Sequence, residues 1–132
     1  MDNAIKMTSR RLAAVLLVAM LASVPPAHAA GAERGQQVFA VECSDCHSVA
    51  EGKNKRGPSL FGVYGRRAAT APGFSNYSDA LRNSGIVWDA AALQRYLADP
   101  RAMVPGGKMK YDGLASAADR EALVVWLARQ GR

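Results

Sequence analysis

The strongest constraint on this chain is the run Cys43-Ser44-Asp45-Cys46-His47, which contains both of its cysteines and one of its two histidines. The pattern C-x-x-C-H is the attachment signature of c-type haem. Two thiols three positions apart can each add across one vinyl group of the same porphyrin. His47 is then held beside the ring as the proximal iron ligand. The run therefore predicts one haem c, bound covalently through Cys43 and Cys46.

Two other uses of closely spaced cysteines fit this sequence less well. A thioredoxin-type C-x-x-C motif is expected near a βαβ pattern, and no such pattern is visible. A structural zinc site needs four ligands, whereas the chain offers two thiols and one usable histidine. Haem attachment is the interpretation that uses all three residues.

Residues 1–29 have the pattern of a cleaved secretory signal peptide. An apolar run of 13 residues, Leu12–Val24, follows a basic segment and precedes the A-x-A cleavage site Ala27-His28-Ala29. A bilayer span needs about 20 apolar residues, so cleavage is favoured over an uncleaved membrane anchor. Arg10-Arg11 also permits twin-arginine export as a second route, and Met7 is an alternative start.

Cleavage after Ala29 leaves 103 residues, 30–132, which is enough for a single domain. The net charge falls from +6 to +4, because the leader carries three basic side chains and one acidic one. This mild charge fits a monomer that meets redox proteins with acidic docking surfaces, and it argues against nucleic-acid binding. Export predicts a periplasmic location with no membrane span after cleavage. It also removes His28, so His47 remains the only histidine.

The pattern of apolar residues is helical, with long connections rich in glycine. We predict helices over Glu33–Val41, Asp89–Ala98 and Ser116–Gln130, and a short one near Ser78–Asn83. No segment alternates with period two for long enough to indicate a strand. Residues 48–76 form a loop that is too long for a compact fold unless it packs on something, and a haem would serve.

Glycine inside the first predicted helix indicates close helix packing. Gly35 lies on the same face as Val38 and Phe39, and a helical glycine costs about 1 kcal/mol relative to alanine. We therefore expect another backbone to approach Gly35.

Two methionines of the mature chain, Met103 and Met109, are candidates for the second axial iron ligand. Met109 follows a proline and two glycines, which allow a tight irregular turn to direct one side chain inward. Met103 follows the end of a helix, where its side chain can simply pack. Met109 is therefore the preferred candidate. If it does not bind, the open site would suit a haem enzyme or a gas sensor.

The ordered set of motifs resembles a class I c-type cytochrome, a bacterial relative of mitochondrial cytochrome c. The resemblance covers nearly all of residues 30–132. The resembling segments occur in the family order: Gly35 with Phe39, the haem motif, residues 57–66, Ala71–Phe74 with Tyr77, Gly85–Trp88, Tyr96–Leu97 and Pro105–Met109. It implies an all-α fold, the small cytochrome c fold, in which three to five helices and long loops wrap around one covalently bound haem.

The resemblance also implies roles for individual residues. Met109 would be the distal ligand, and the carbonyl of Pro58 would accept a hydrogen bond from His47. Tyr96 would lie beside the methionine ligand.

The resemblance also implies which residues of this chain would recognise a buried haem propionate. Tyr77 and Trp88 would hydrogen-bond the propionate, and Arg66 would offset its charge.

The chain departs from the family pattern at several positions. Gly107 stands where threonine is usual, and Tyr111 where phenylalanine is common. One residue, near Asn76, is additional before Tyr77. Three basic residues, Lys55, Arg101 and Lys108, match the family's lysine ring, but Glu42 and Asp45 place acid where base is usual.

The resemblance implies an electron-transfer protein and not an enzyme. We expect an exported soluble carrier that passes one electron at a time through a six-coordinate His/Met haem. The alternative is a dedicated cytochrome subunit of a periplasmic dehydrogenase or oxidase complex. An exposed apolar patch at the haem edge would favour that alternative.

Overall fold

A computed structural model describes the chain from residue 27 to residue 131, with burial assigned from residue 31 onward. The predicted signal peptide therefore lies almost entirely outside the described residues. The described part contains five α-helices: α1 (Ala27–Val38), α2 (Asp79–Arg82), α3 (Ala90–Ala98), α4 (Pro100–Met103) and α5 (Ala117–Leu127). It forms no strand, and one isolated bridge pairs Arg67 with Val87. The predicted all-α class is confirmed.

Helices α1 and α5 cross at very close range, at Gly35. A Cβ atom at Gly35 would lie 2.2 Å from the carbonyl oxygen of Ala122 and 2.5 Å from Cβ of Trp126. The rings of Phe39 and Trp126 pack beside this point, with their centroids 5.0 Å apart. The expected approach of another backbone to Gly35 is therefore confirmed.

Side-chain caps begin the helices where the sequence predicts them. The Ser116 hydroxyl accepts from the N–H of Asp119 at 3.1 Å, and an Asp89 carboxylate oxygen accepts from the N–H of Ala92 at 2.8 Å. Pro100 ends α3, as predicted, but it also begins α4. A proline in the first turn has no N–H to leave unpaired, and Asp99 caps the new helix.

The predicted bounds of the first and last helices are wrong. Helix α1 already includes Ala27, the first described residue, rather than beginning at Glu33, and the chain continues from it through a π-helical turn, Phe39–Cys43. Helix α5 ends at Leu127, three residues early, and turns follow it to Gly131. Apolar periodicity does not distinguish α from π hydrogen bonding, so it could not mark the change at Phe39.

The loops between these helices enclose one core. The loop after the haem motif and the helices α1, α3 and α5 all contribute buried side chains to it, among them Val38, Val63, Leu93, Leu97, Leu123 and Leu127. Side chains stabilise the long loop: the Asn54 carbonyl oxygen accepts from the N–H of Ser59 at 2.8 Å, and the Ser59 hydroxyl donates to the carbonyl of Ala50 at 2.7 Å. No helix in the described range has the length and apolar character to cross a bilayer.

Candidate haem site

A cavity of about 390 Å³ lies between the loops and the helical core. Its volume is in the range of cofactor pockets, and apolar side chains form much of its wall. The haem motif contributes Cys43, Cys46 and His47, and the predicted methionine loop contributes Met109. The cavity thus brings together the four residues that the sequence singled out for haem binding. The remaining predicted site residues also line it: Pro58, Arg66, Tyr77, Trp88 and Tyr96.

The two cysteines are half-buried and are not joined by a disulfide. Burial raises the pKa of the Cys43 thiol to about 12, with further contributions from Glu42 and Cys46. A redox-active or zinc-binding cysteine has the opposite character, because its chemistry needs the thiolate. Within the described range, no group of three or more His, Cys, Asp or Glu side chains is placed to hold a metal ion. Cys43 therefore lacks the thiolate character of a redox-active or zinc-binding cysteine.

The imidazole of His47 is fixed in orientation by its neighbours. Its Nδ1 lies 2.7 Å from the carbonyl oxygen of Pro58, so Nδ1–H donates and Nε2 keeps its lone pair. Burial lowers the pKa of His47, and the bond to Pro58 opposes this shift. Both the neutral ring and the free Nε2 suit a ligand for haem iron.

Gly57 completes the cradle of this histidine, and the sequence analysis gave it no role of its own. A Cβ atom at Gly57 would lie 2.4 Å from Cε1 of His47 and 2.8 Å from Nδ1. The ring can therefore occupy its place only against a glycine. The glycine that precedes Pro58 in the chain was a signal for this close approach.

Arg66 and Tyr77 line the cavity, and their polar groups bind the loops. Arg66 donates to the carbonyls of Phe61 at 2.8 Å and Ser59 at 3.1 Å, which uses two of its five N–H groups. The Tyr77 hydroxyl accepts from the N–H of Ala71 at 3.0 Å and keeps its own proton to donate. Both residues retain hydrogen-bonding capacity for an anionic group such as a propionate.

Trp88 and Tyr96 form an aromatic pair in the wall of the cavity. Their ring centroids are 4.9 Å apart. Burial raises the pKa of Tyr96, so its phenol stays protonated and can donate a hydrogen bond. Sequence reasoning placed both residues in the site but did not predict their contact.

The two candidate methionines lie in different places. Met109 lines the cavity together with Gly107, Lys108 and Lys110. Met103 belongs to α4 and lines a separate surface pocket. The turn that separates them contains Gly106, whose φ of +83° lies in the left-handed region that favours glycine. The structure therefore brings Met109, and not Met103, into the cavity that contains His47.

Ala69 is a cavity residue that sequence reasoning missed. Its φ of +60° is the only left-handed value at a non-glycine residue in the described range. Such strain is often found in binding sites. Neither its residue type nor its neighbours in the sequence give a signal for this conformation.

Comparison with known proteins identifies the family. The Cytochrome c family model matches residues 32–130. Cytochrome c2 iso-2 of Magnetospirillum fulvum is 51% identical over 85 residues, covering 64% of this chain and 88% of its own length. Cytochrome c2 of Blastochloris viridis is 43% identical over 112 residues, covering 84% of this chain and 87% of its own length.

A solved structure extends the similarity to the fold. Cytochrome cH from Methylobacterium extorquens has a TM-score of 0.67 and 40% sequence identity, and the match covers 73% of this chain and 95% of that protein. The predicted family, fold and cofactor are confirmed. The chain belongs to the cytochrome c family as a class I c-type cytochrome, an electron-transfer protein and not an enzyme, with one covalently bound haem c.

Proposed function

We propose that this cytochrome is an exported one-electron carrier of the periplasm, with His47 and Met109 as the axial ligands of its haem iron. The observation that carries the proposal is that both residues line the same cavity as Cys43 and Cys46. His47 is anchored through Nδ1, which leaves Nε2 for the iron. Ligation by both residues leaves no open iron site for a substrate or a gas.

The bound haem supplies the ferrous–ferric couple, and the protein controls its surroundings. Pro58 holds the imidazole in one orientation and increases its basicity. The aromatic and aliphatic wall excludes water, and methionine ligation raises the reduction potential. Tyr77, Trp88 and Arg66 would hold a propionate.

Export and domain organisation belong to the same proposal. We expect cleavage near Ala29, which leaves residues 30–132 as one cytochrome domain and one monomer. The family match begins at residue 32, directly after this cleavage site. Edman sequencing of the protein recovered from the periplasm would give Ala30 as the first residue. An intact leader on the recovered protein would overturn the cleavage.

Redox partners of the family imply a docking surface, and we propose that acidic partners recognise basic residues near the cavity. Lys108 and Lys110 line the cavity, and Lys55 donates to the carbonyl of Ser44 within the haem motif. Attraction between opposite charges is screened by salt, so association with such a partner should slow as ionic strength rises. An association rate that does not change with salt would contradict the proposal.

The axial ligands are tested by absorption spectroscopy of the mature holoprotein. Covalent haem stays with the chain after denaturation, and methionine ligation gives the ferric protein its long-wavelength iron–sulfur charge-transfer band. Met109→Ala should abolish this band. Met103→Ala is the matched control and should keep it. The reverse pattern, or carbon monoxide binding by the native ferrous protein, would overturn the ligand assignment.

The alternative, a dedicated subunit of a larger complex, is supported by one exposed side chain. Val41 is 80% exposed and lies two residues before Cys43. A single exposed apolar residue is normal for a monomeric protein, whereas a docking patch is contiguous. We therefore prefer the free carrier. Co-purification with one dehydrogenase or oxidase at a fixed ratio through gel filtration would reverse this preference.

A further inference from the structure

We propose that Asn76 and Glu42 are positioning residues that hold the Met109 loop against the body of the protein. Each accepts a side-chain hydrogen bond from the loop, one on either side of Met109. The inference rests on the proposed function, in which Met109 is the distal ligand.

The segment that contains Met109 has no backbone hydrogen bonds to hold it. Gly107 donates its N–H to the carbonyl of Val104 at 3.0 Å, and Leu114 donates to the carbonyl of Leu97 at 2.7 Å. Between these two points, residues 108–113 make no backbone hydrogen bond with any described residue. The position of Met109 therefore depends on side-chain contacts and on its own bond to iron.

Two side chains of this segment cross to distant parts of the chain. Lys108 donates from Nζ to Oδ1 of Asn76 at 2.8 Å, across 32 residues of sequence. Tyr111 donates from its hydroxyl to Oε2 of Glu42 at 2.8 Å, across 69 residues. Lys108 comes one position before Met109, and Tyr111 two positions after it. The methionine thus lies between two fixed points.

Each contact depends on a particular side chain of this sequence. Lys108 and Tyr111 carry the donors, and Gly107, directly before Lys108, has no side chain with which to hold the loop. The two hydrogen bonds supply the attachment that the glycine cannot.

The consequence can be measured through competition for the ferric iron. A small ligand such as imidazole binds only when Met109 has left the iron, so its apparent affinity reports the population of that open form. Loss of one exposed hydrogen bond should raise this population by about two- to fivefold. The apparent dissociation constant for imidazole should fall by the same factor.

The experiment titrates imidazole into ferric holoprotein carrying Asn76→Ala or Tyr111→Phe. Each variant should bind imidazole about two- to fivefold more tightly than the wild type. Asn76→Asp keeps an acceptor oxygen and should restore the wild-type value. Glu42→Gln offers Tyr111 an amide oxygen in place of the carboxylate oxygen, so its imidazole affinity should also stay near the wild-type value.

Asp112→Asn is the matched control in the same loop. It breaks the ion pair of Asp112 with Arg101, which is 2.9 Å long and joins side chains that are 89% and 67% exposed. Because Asp112 is almost fully exposed, this pair should be the weakest of the loop's three contacts, and imidazole affinity should change by less than about twofold. An effect of Asp112→Asn equal to that of Asn76→Ala would mean that any change in the loop loosens Met109, and it would overturn the specific role of Asn76.

A Met109→Ala background separates the two proposals. If Met109 is the ligand, Met109→Ala alone should strengthen imidazole binding far more than Asn76→Ala or Tyr111→Phe does. Adding Asn76→Ala to Met109→Ala should then leave the imidazole affinity unchanged. Equal affinity of Met109→Ala and the wild type would refute the proposed ligation. Tight binding by Met109→Ala with wild-type affinity in Asn76→Ala and Tyr111→Phe would refute the positioning role alone.

Discussion

The crossing of α1 and α5 should not tolerate a single added methyl group at Gly35. In Gly35→Ala, Cβ would lie 2.2 Å from the Ala122 carbonyl oxygen, where ordinary contact begins near 3.4 Å, so the helices must separate by about 1 Å. The obstacle is backbone, and no side-chain rotation can relieve it. Overpacking of this kind costs about 1–3 kcal/mol, while alanine gains about 1 kcal/mol over glycine in a helix. Because the obstacle is backbone, the upper part of that range applies, about 2–3 kcal/mol, and we expect a net loss of about 1–2 kcal/mol.

Guanidinium unfolding of the holoprotein, followed by far-UV circular dichroism, measures this loss. At constant m-value, the midpoint of Gly35→Ala should fall below that of the wild type. Gly31→Ala is the matched control, because Gly31 lies in the same helix with no atom within 4 Å of an added Cβ. Since cleavage after Ala29 leaves Gly31 in the first turn of the helix, its replacement should leave the midpoint unchanged or slightly higher. A Gly35→Ala protein as stable as the wild type would refute the close crossing.

Two further predictions concern the histidine cradle and an ion pair between the helices. Gly57→Ala should displace the His47 ring, which a new Cβ would approach to 2.4 Å, and should lower the free energy of unfolding by about 1–3 kcal/mol; an unchanged unfolding midpoint would contradict the cradle. Arg34 binds Asp119 at 2.8 Å and holds the pKa of that carboxyl below its ordinary value of 3.8. The melting temperature of the wild type should therefore exceed that of Asp119→Asn at pH 7, and the difference should vanish as the pH falls below 3.8 and the carboxyl is protonated. A difference in melting temperature that persisted in acid would exclude the ion pair as its cause.

Features that depend on neighbouring residues could be predicted from the sequence. Ser116 and Asp89 begin their helices because a cap needs only a short polar side chain and the next few N–H groups. The haem motif is equally local, since its three functional residues lie within five positions. Gly35 was informative for a similar reason: glycine on an apolar helix face has few explanations other than close packing.

Features that depend on three-dimensional contacts could not be predicted. The hydrogen bond from Lys108 to Asn76 joins two exposed polar residues, and nothing in the sequence marks them as a pair. The π-helical turn before Cys43 follows from a small shift in hydrogen bonding that leaves the apolar pattern unchanged. The strained backbone of Ala69 likewise depends on the surrounding fold.

The two sides of the proposed iron site are attached to the fold in different ways, and their stabilities should separate. Cys43 ends a continuous helical segment that includes Gly35, so the α1–α5 crossing helps to fix the attachment side. Residues 108–113 are held by side-chain contacts and make no backbone hydrogen bond within the described part of the chain. Local opening can therefore release Met109 without unfolding the helices. Gly35→Ala should lower the free energy of global unfolding without strengthening imidazole binding. Asn76→Ala should strengthen imidazole binding without lowering the free energy of global unfolding. The two variants differ because the first acts on global unfolding and the second on local opening of the Met109 segment.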